Sequence, residues 1–244
     1  MKYHSPFILL TLICFHSSAQ PLIHAHNDYQ QSKPLTNALQ NRAYSIEADL
    51  YLHNGQLVVA HDKKHLTVAP SLDALYLQPI IRLFKKHPGR ISNNKTYAPV
   101  LMIDIKDNGK DVLVALIQLL AAYPSVFDRS VNPLALQIVI SGDRGPVSNW
   151  TSYPSSIFFD GRPYEVYDSA TLQRVAFISD AYYNYVSRAD STRRIEELVK
   201  KIHGLGKLLR LWSIPDDPAS WLRLQQLGVD IINTDKVGEC RRFF

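Results

Sequence analysis

Cysteine is nearly absent from this chain: Cys14 and Cys240 are the two among 244 residues. Cys14 falls inside an N-terminal apolar stretch, which leaves Cys240 alone and excludes an intramolecular disulfide framework. Cys240 itself reads as a bystander thiol near a frayed C-terminus. No second long apolar run follows the first one, so no membrane-spanning helix is expected beyond it. There is no dense Lys/Arg stripe. The formal net charge of +5 suits anionic substrates but not a nucleic-acid binder. No G-x-G-x-x-G follows the first apolar β-type run, which argues against a dinucleotide-binding open sheet. Low-complexity segments and sequence repeats are also missing.

What is present begins with an export signal. Lys2 gives a basic start, Phe7 to Phe15 an apolar centre, and Ser17-Ser18-Ala19 a small-residue cleavage zone before Gln20. Ile13 stands before Cys14, where a lipoprotein signal requires a small residue. The expected organisation is a signal peptide over 1–19 and one domain over 20–244, exported to the periplasm or secreted. Cleavage would remove Lys2 and no acid, taking the formal charge from +5 to +4.

Beyond the signal, β-type runs alternate with helical patterns. Strands are predicted over Leu22–Ala25, Ser45–Leu52, Val100–Ile105, Leu136–Ser141, Ser156–Asp160, Val175–Ser179, Lys207–Trp212 and Asp230–Asn233. Leu57–Ala60 forms a short extra run, joined to the second by the His53-Asn54-Gly55 turn. Helices are predicted over Pro34–Asn41, Leu72–Lys86, Gly109–Ala122, Ser169–Arg174, Ser191–His203 and Pro218–Leu227. Gly204 and Gly228 are the expected stops of two of them. Eight strands alternating with helices predict an α/β fold closed as a TIM (β/α)8 barrel, with an open doubly wound sheet as the alternative.

The chemistry-bearing residues gather between Leu22 and Asp62. His24 and His26 surround the end of the first strand. Glu47 and Asp49 share one face of the second strand, because side chains two apart point the same way. His61 and Asp62 end the extra run, and Asp104 with Lys106 ends the third strand. Carboxylates in apolar strands are costly to bury without a positive partner. Glu47, Asp49 and Asp104 can converge on one point, where an all-oxygen set suits a hard cation, Mg²⁺ or Ca²⁺. Imidazoles on either side can take and give protons near neutral pH. Asp143, Arg144, Asp160, Arg162 and Asp235 are further strand-end groups, most of them expected to be solvated. Trp212 reads equally as core or as a stacking platform. His24-x-His26 also opens the metal site of zinc amidohydrolase-like barrels, but histidines are lacking at Asp160-Gly161-Arg162 and Asp180-Ala181-Tyr182, where that site needs them.

The wording HAHNDY, SIEADLYL and GQLVVAHD resembles the superfamily of phosphatidylinositol-specific phospholipase C and glycerophosphodiester phosphodiesterases, in its bacterial and fungal PI-PLC-like branch. LMIDIK (Leu101–Lys106), LRLWSIPD (Leu209–Asp216) and LGVDIINTD (Leu227–Asp235) extend the resemblance across nearly the whole mature chain. It implies a TIM barrel and a phosphoric diester hydrolase acting on a glycerophosphodiester, phosphoinositide or related headgroup. It implies Glu47, Asp49 and Asp104 as ligands of the divalent cation. A first-strand histidine and His61 become base and acid, and Lys106, with Trp212, holds the substrate phosphate. The usual His-Arg-Gly is replaced by His-Ala-His-Asn-Asp, so His24 and His26 both stand as candidates; His26 lies nearer the expected barrel mouth. Transient contact with a membrane surface is compatible with such a substrate. A catalytically silent barrel that binds a phosphate or lipid is the non-enzymatic alternative.

Overall fold

The computed structural model describes residues 20–186 and 190–244; the expected signal segment and Cys14 lie outside the described residues. The strands are β1 (Leu22–Ala25), β2 (Ser45–His53), β3 (Gln56–Val59), β4 (Val100–Ile105), β5 (Gln137–Gly142), β6 (Ile157–Gly161), β7 (Val175–Ala181), β8 (Leu209–Trp212) and β9 (Ile231–Thr234). They pair in the order β1-β9-β8-β7-β6-β5-β4-β2-β3, and β1 also pairs with β2. Every pairing is parallel except β2 with β3. The parallel strands therefore close into an eight-stranded barrel, and β3 folds back on β2 as a hairpin outside it. Asn54 (φ 49°) and Gly55 (φ 77°) make that hairpin's tight turn, both in the left-handed region that primed turns demand.

The described helices are α1 (Thr36–Gln40), α2 (Gln78–Lys86), α3 (Gly109–Leu120), α4 (Pro124–Phe127), α5 (Ser169–Gln173), α6 (Tyr183–Val186), α7 (Ser191–Gly204), α8 (Pro218–Gln226) and α9 (Val237–Phe243). The run predicted as one helix over Leu72–Lys86 is divided. A wide turn at Asp73–Leu77 precedes α2, which has a proline in its first turn. Pro79 offers no N–H to the ladder, so the backbone ahead of it takes a wider spacing. Gly204 proves to be the last residue of α7, and the left-handed exit falls at Gly206 (φ 66°). Helix α9 was not predicted. It buries Cys240 completely, so the thiol is part of the core and not of a frayed end. Burial pushes the Cys240 thiol up to about 12, which makes it an inert apolar filler.

Strand alternation explains where the core lies. Ile46, Ala48 and Leu50 of β2, Leu101 and Ile103 of β4, and Ile138 and Ile140 of β5 face outward into the main core under the helices. The inward positions divide into two levels. Val100, Met102, Val139, Phe177 and Ile231 form a separate apolar cluster that fills one end of the lumen. Two residues further along each strand the inward side chain is polar: Asp104 follows Met102, Ser141 follows Val139, Ser179 follows Phe177, and Asn233 follows Ile231. The chemistry therefore collects at the C-terminal end of the barrel, above an apolar plug.

Candidate active site

A cavity of about 250 Å³ opens at this end, walled by residues that include His26, Glu47, His61, Asp104, Lys106 and Trp212. Strand β2 supplies Glu47 and Asp49, and register sets Asp49 opposite Asp104 on β4. Glu47, Asp49 and Asp104 each carry an oxygen within 4.8 Å of the other two. That spacing is what ligands of one cation have when metal–oxygen distances are about 2.4 Å. Asp49 is fully buried. Its Oδ2 accepts from Tyr29 (2.8 Å), from the His61 ring (3.0 Å) and from Lys106 Nζ (2.8 Å), whereas Oδ1 has no hydrogen-bond partner among the described residues. A buried anionic oxygen without a donor is costly, and a cation coordinated there would satisfy it. The residues thus fit a hard divalent ion.

Burial raises the pKa of Asp104; Lys106 opposes the shift and the Glu47 charge adds to it. Lys106 Nζ lies 2.5 Å from Asp104 and 2.8 Å from Asp49. Burial works against its charge, but the two carboxylates outweigh burial and hold its pKa above the ordinary lysine value. Gly142 is obligatory beside this cluster. It has φ +69°, and a β-carbon there would collide with Asp104 Oδ1 and the Ile105 carbonyl.

The three histidines have different surroundings. His61 follows β3, its side chain is about half exposed, and Nδ1 bonds Asp49. The Nδ1–H tautomer leaves Nε2 for a substrate proton. His26 lies just past β1, with Nδ1 2.8 Å from Asp235 Oδ1. Burial lowers its pKa, but the Asp235 hydrogen bond and the Glu47 and Asp235 charges outweigh burial, so the net shift is upward. His24 is completely buried and is not on the cavity wall. Nδ1 contacts Ser45 Oγ (3.0 Å) and Nε2 contacts Glu47 (2.8 Å), while Arg210 Nη1 is 3.0 Å from Nε2. Burial and then Arg210 drive its pKa well down, so it is neutral. His24 therefore corrects the sequence expectation. Two residues before His26 and one pleat deeper, it lies off the cavity wall and bonds Glu47.

Two more expectations change. Asp160 is not a solvated rim group. It is fully buried, bonded to Ser141, Ser179, Arg162 and Arg210. Arg144 pairs with Glu165 at 2.9 Å, and Asp143 accepts the Gly109 N–H at the entry to α3. Trp212 is partly exposed on the cavity wall, with Tyr183 edge-on at 5.8 Å. Sequence reasoning missed Arg210, which is almost wholly buried at an inward position of β8. An arginine between two leucines in LRLW was the signal: in a strand buried on both faces, a charge has to have built partners. The zinc amidohydrolase alternative finds no support here. Asp160 is taken by arginines, Asp180 bonds Asn184 and Tyr185, and Asp235 bonds His26.

The parallel eight-stranded barrel carries three convergent carboxylates and two imidazoles at its C-terminal mouth, the face where (β/α)8 barrels place their functional groups. The profile of the AIM6-like phosphodiesterase domain matches residues 15–143, just over half of the chain, and the protein belongs to that family. Altered inheritance of mitochondria protein 6 from Eremothecium gossypii is 28% identical over 91% of this chain and 69% of its own length. Its homolog from Arthroderma benhamiae is 24% identical over 91% of this chain and 83% of its own. Among solved structures, a glycerophosphodiester phosphodiesterase from Parabacteroides distasonis superposes with a TM-score of 0.61 at 17% identity, over 91% of this chain and 95% of the other. One from Agrobacterium tumefaciens gives 0.55 at 14% identity, over 92% and 100%. At these identities the structural likeness establishes the fold.

Proposed function

We propose that this protein is a metal-dependent phosphoric diester hydrolase that acts on a glycerophosphodiester, phosphoinositide or related phospholipid headgroup. The observation that carries the reading is the Glu47–Asp49–Asp104 cluster, with its partnerless buried oxygen, sharing one cavity with His26 and His61. Glu47, Asp49 and Asp104 would hold Mg²⁺ or Ca²⁺. Such an ion supplies charge stabilisation to a phosphoryl oxygen. The protein's own groups do the rest. His61, fixed by Asp49 through Nδ1, takes the proton of the attacking hydroxyl or water at Nε2. His26, whose pKa Asp235 helps to raise, gives a proton to the leaving oxygen, which exchanges the base and acid roles implied by the resemblance. His24 orients Glu47, and Lys106 neutralises negative charge beside the carboxylates. Trp212 supplies an apolar wall for the headgroup.

The expected site of action is outside the cytoplasm, after cleavage near Ala19. A small phosphodiester or a headgroup at a membrane surface is the expected partner, and nucleic acid is not. The test compares bis(p-nitrophenyl) phosphate with p-nitrophenyl phosphate, in EDTA and with Mg²⁺, Ca²⁺, Mn²⁺ or Zn²⁺ restored. Diester turnover that disappears in EDTA and returns with Mg²⁺ or Ca²⁺ supports the reading. Turnover indifferent to EDTA would refute it, and a preference for Zn²⁺ would reopen the amidohydrolase-like alternative. Tight ligand binding with no turnover under any metal would favour the silent barrel.

A further inference from the structure

The carboxylate cluster occupies one wall of the cavity, and arginines occupy another. Arg162, just past β6, and Arg210, on β8, both line it. They converge on a single carboxylate: Arg162 Nη1 is 2.9 Å and Arg210 Nη2 3.1 Å from Asp160 Oδ2. The neighbouring Arg144 and Glu165 cancel each other at 2.9 Å. Arg162 and Arg210 together with Asp160 thus leave one positive charge in excess on this wall, facing the carboxylates of the opposite wall across the cavity.

The two arginines differ in what they have left to give. Arg210 donates Nε to Ser179 (2.9 Å), Nη1 to Asn233 (2.9 Å) and Nη2 to Asp160. Arg162 directs Nη1 at Asp160 and at the Gly161 carbonyl (2.9 Å), whereas among the described residues Nη2 meets only Ser141 Oγ, at 3.3 Å. A guanidinium Nη carries two hydrogens, so Nη2 has donor capacity to spare. The backbone behind it is braced. Glu165 accepts the Arg162 N–H (2.8 Å) and the Tyr167 hydroxyl (2.6 Å) while it pairs with Arg144. A donor fixed in this way loses little entropy on binding.

We propose that Arg162 is an anion-binding residue of the active site: its Nη2 edge takes a charged non-bridging oxygen of the substrate phosphate, across the cavity from the carboxylate cluster. Arg210 holds Asp160 in place and supplies the second positive charge from below. The assignment to substrate rests on the phosphodiesterase reading above; the capacity to bind a phosphate does not.

The test is calorimetric titration of the full chain with inorganic phosphate, in the presence of Mg²⁺, for wild type, Arg162→Gln and Arg162→Lys, with thermal melts of each. Loss of a charge-assisted hydrogen bond predicts phosphate binding weaker by at least about ten-fold in Arg162→Gln. Arg162→Lys recovers only part of it, because a point charge lacks the guanidinium fork. The KM for a diester rises while Mg²⁺ affinity is unchanged. Phosphate affinity within two-fold of wild type in a variant that melts like wild type overturns the proposal, as does a wild type that binds no phosphate. If Arg162→Gln melts far below wild type, Arg162→Lys, which keeps Asp160 paired, decides: unchanged affinity there overturns it. A wild type that binds phosphate through Arg162 yet hydrolyses no diester removes the phosphodiesterase reading and leaves the anion site. Diester turnover with phosphate binding indifferent to Arg162 does the reverse.

Discussion

The two levels of the barrel lumen draw on different strands and do opposite work. At the lower level Val100, Met102, Val139, Phe177 and Ile231 are fully buried and pack together as an apolar cluster. At the upper level Glu47, Asp49, Asp160, Arg210 and His24, on β2, β6, β8 and β1, are almost as buried and are all ionisable. Arg210 sits over the Phe177 ring at 5.9 Å, where the levels meet. Buried area stabilises the lower level, at about 25 cal/mol per Å². The upper level draws no such gain. Its charges lose hydration and regain it only through mutual pairing. Closure of the strands therefore draws on the apolar lower level, and the upper level has to balance its charges among themselves.

The comparison is broken most sharply at Glu47. Glu47→Gln should reduce diester turnover by at least about a thousand-fold, since several kcal/mol of charge stabilisation go with the cation. In EDTA the same variant should melt at or above the wild-type temperature, because it removes one of three crowded carboxylates. Assay and melt together check both halves. His61→Ala and His26→Ala should each lower turnover by about 10²–10⁴-fold while Mg²⁺ still binds, which single-turnover kinetics and a metal titration separate.

Next in size are stability losses that distinguish the levels. Met102→Ala at the lower level should cost about 2–5 kcal/mol in urea unfolding. Mg²⁺ affinity should stay as in wild type. Arg210→Met at the upper level should cost about 3–5 kcal/mol, because Asp160 is left buried without its second cation. Replacing Asp160 with Asn in the same chain should restore part of that loss, a recovery that no double substitution with Met102→Ala would show.

A smaller effect is expected in the pH profile. Asp235 raises the pKa of His26, so His26 keeps its proton to higher pH than a free imidazole with a value of about 6.5. An acid catalyst loses activity as pH rises through its pKa. Asp235→Asn removes the hydrogen bond, lowers that pKa, and should move the basic limb of kcat/KM to lower pH. An unmoved limb would show that His26 is not the acid. The smallest effect is at Cys240. Its buried thiol should resist alkylation in the native protein and react only on unfolding.

Much of this was legible in the sequence, for physical reasons. The strands Leu22–Ala25 and Val100–Ile105 have the predicted limits, because apolar runs bounded by polar turns leave little freedom. Glu47, Asp49 and Asp104 stood out because period-two alternation aims them at one point. What escaped was partnership across long chain separations. His26 meets Asp235 from 209 residues away, and Arg210 meets His24 from 186 away. Depth escaped as well: His24 and His26 share a face, and only closure of the barrel shows that one is sealed beneath Glu47 while the other reaches the mouth. Short helices such as α4 and α9 carry too few turns to show a period.

The central claim is that the upper level holds a divalent cation on Glu47, Asp49 and Asp104 for phosphodiester cleavage. The most direct measurement is a Mg²⁺ and Ca²⁺ titration by calorimetry of wild type and Asp49→Asn, paired with bis(p-nitrophenyl) phosphate turnover on the same samples. The account predicts one saturable site in wild type, its loss in Asp49→Asn, and turnover that follows site occupancy. Equal metal binding by both proteins, or turnover independent of occupancy, would contradict it.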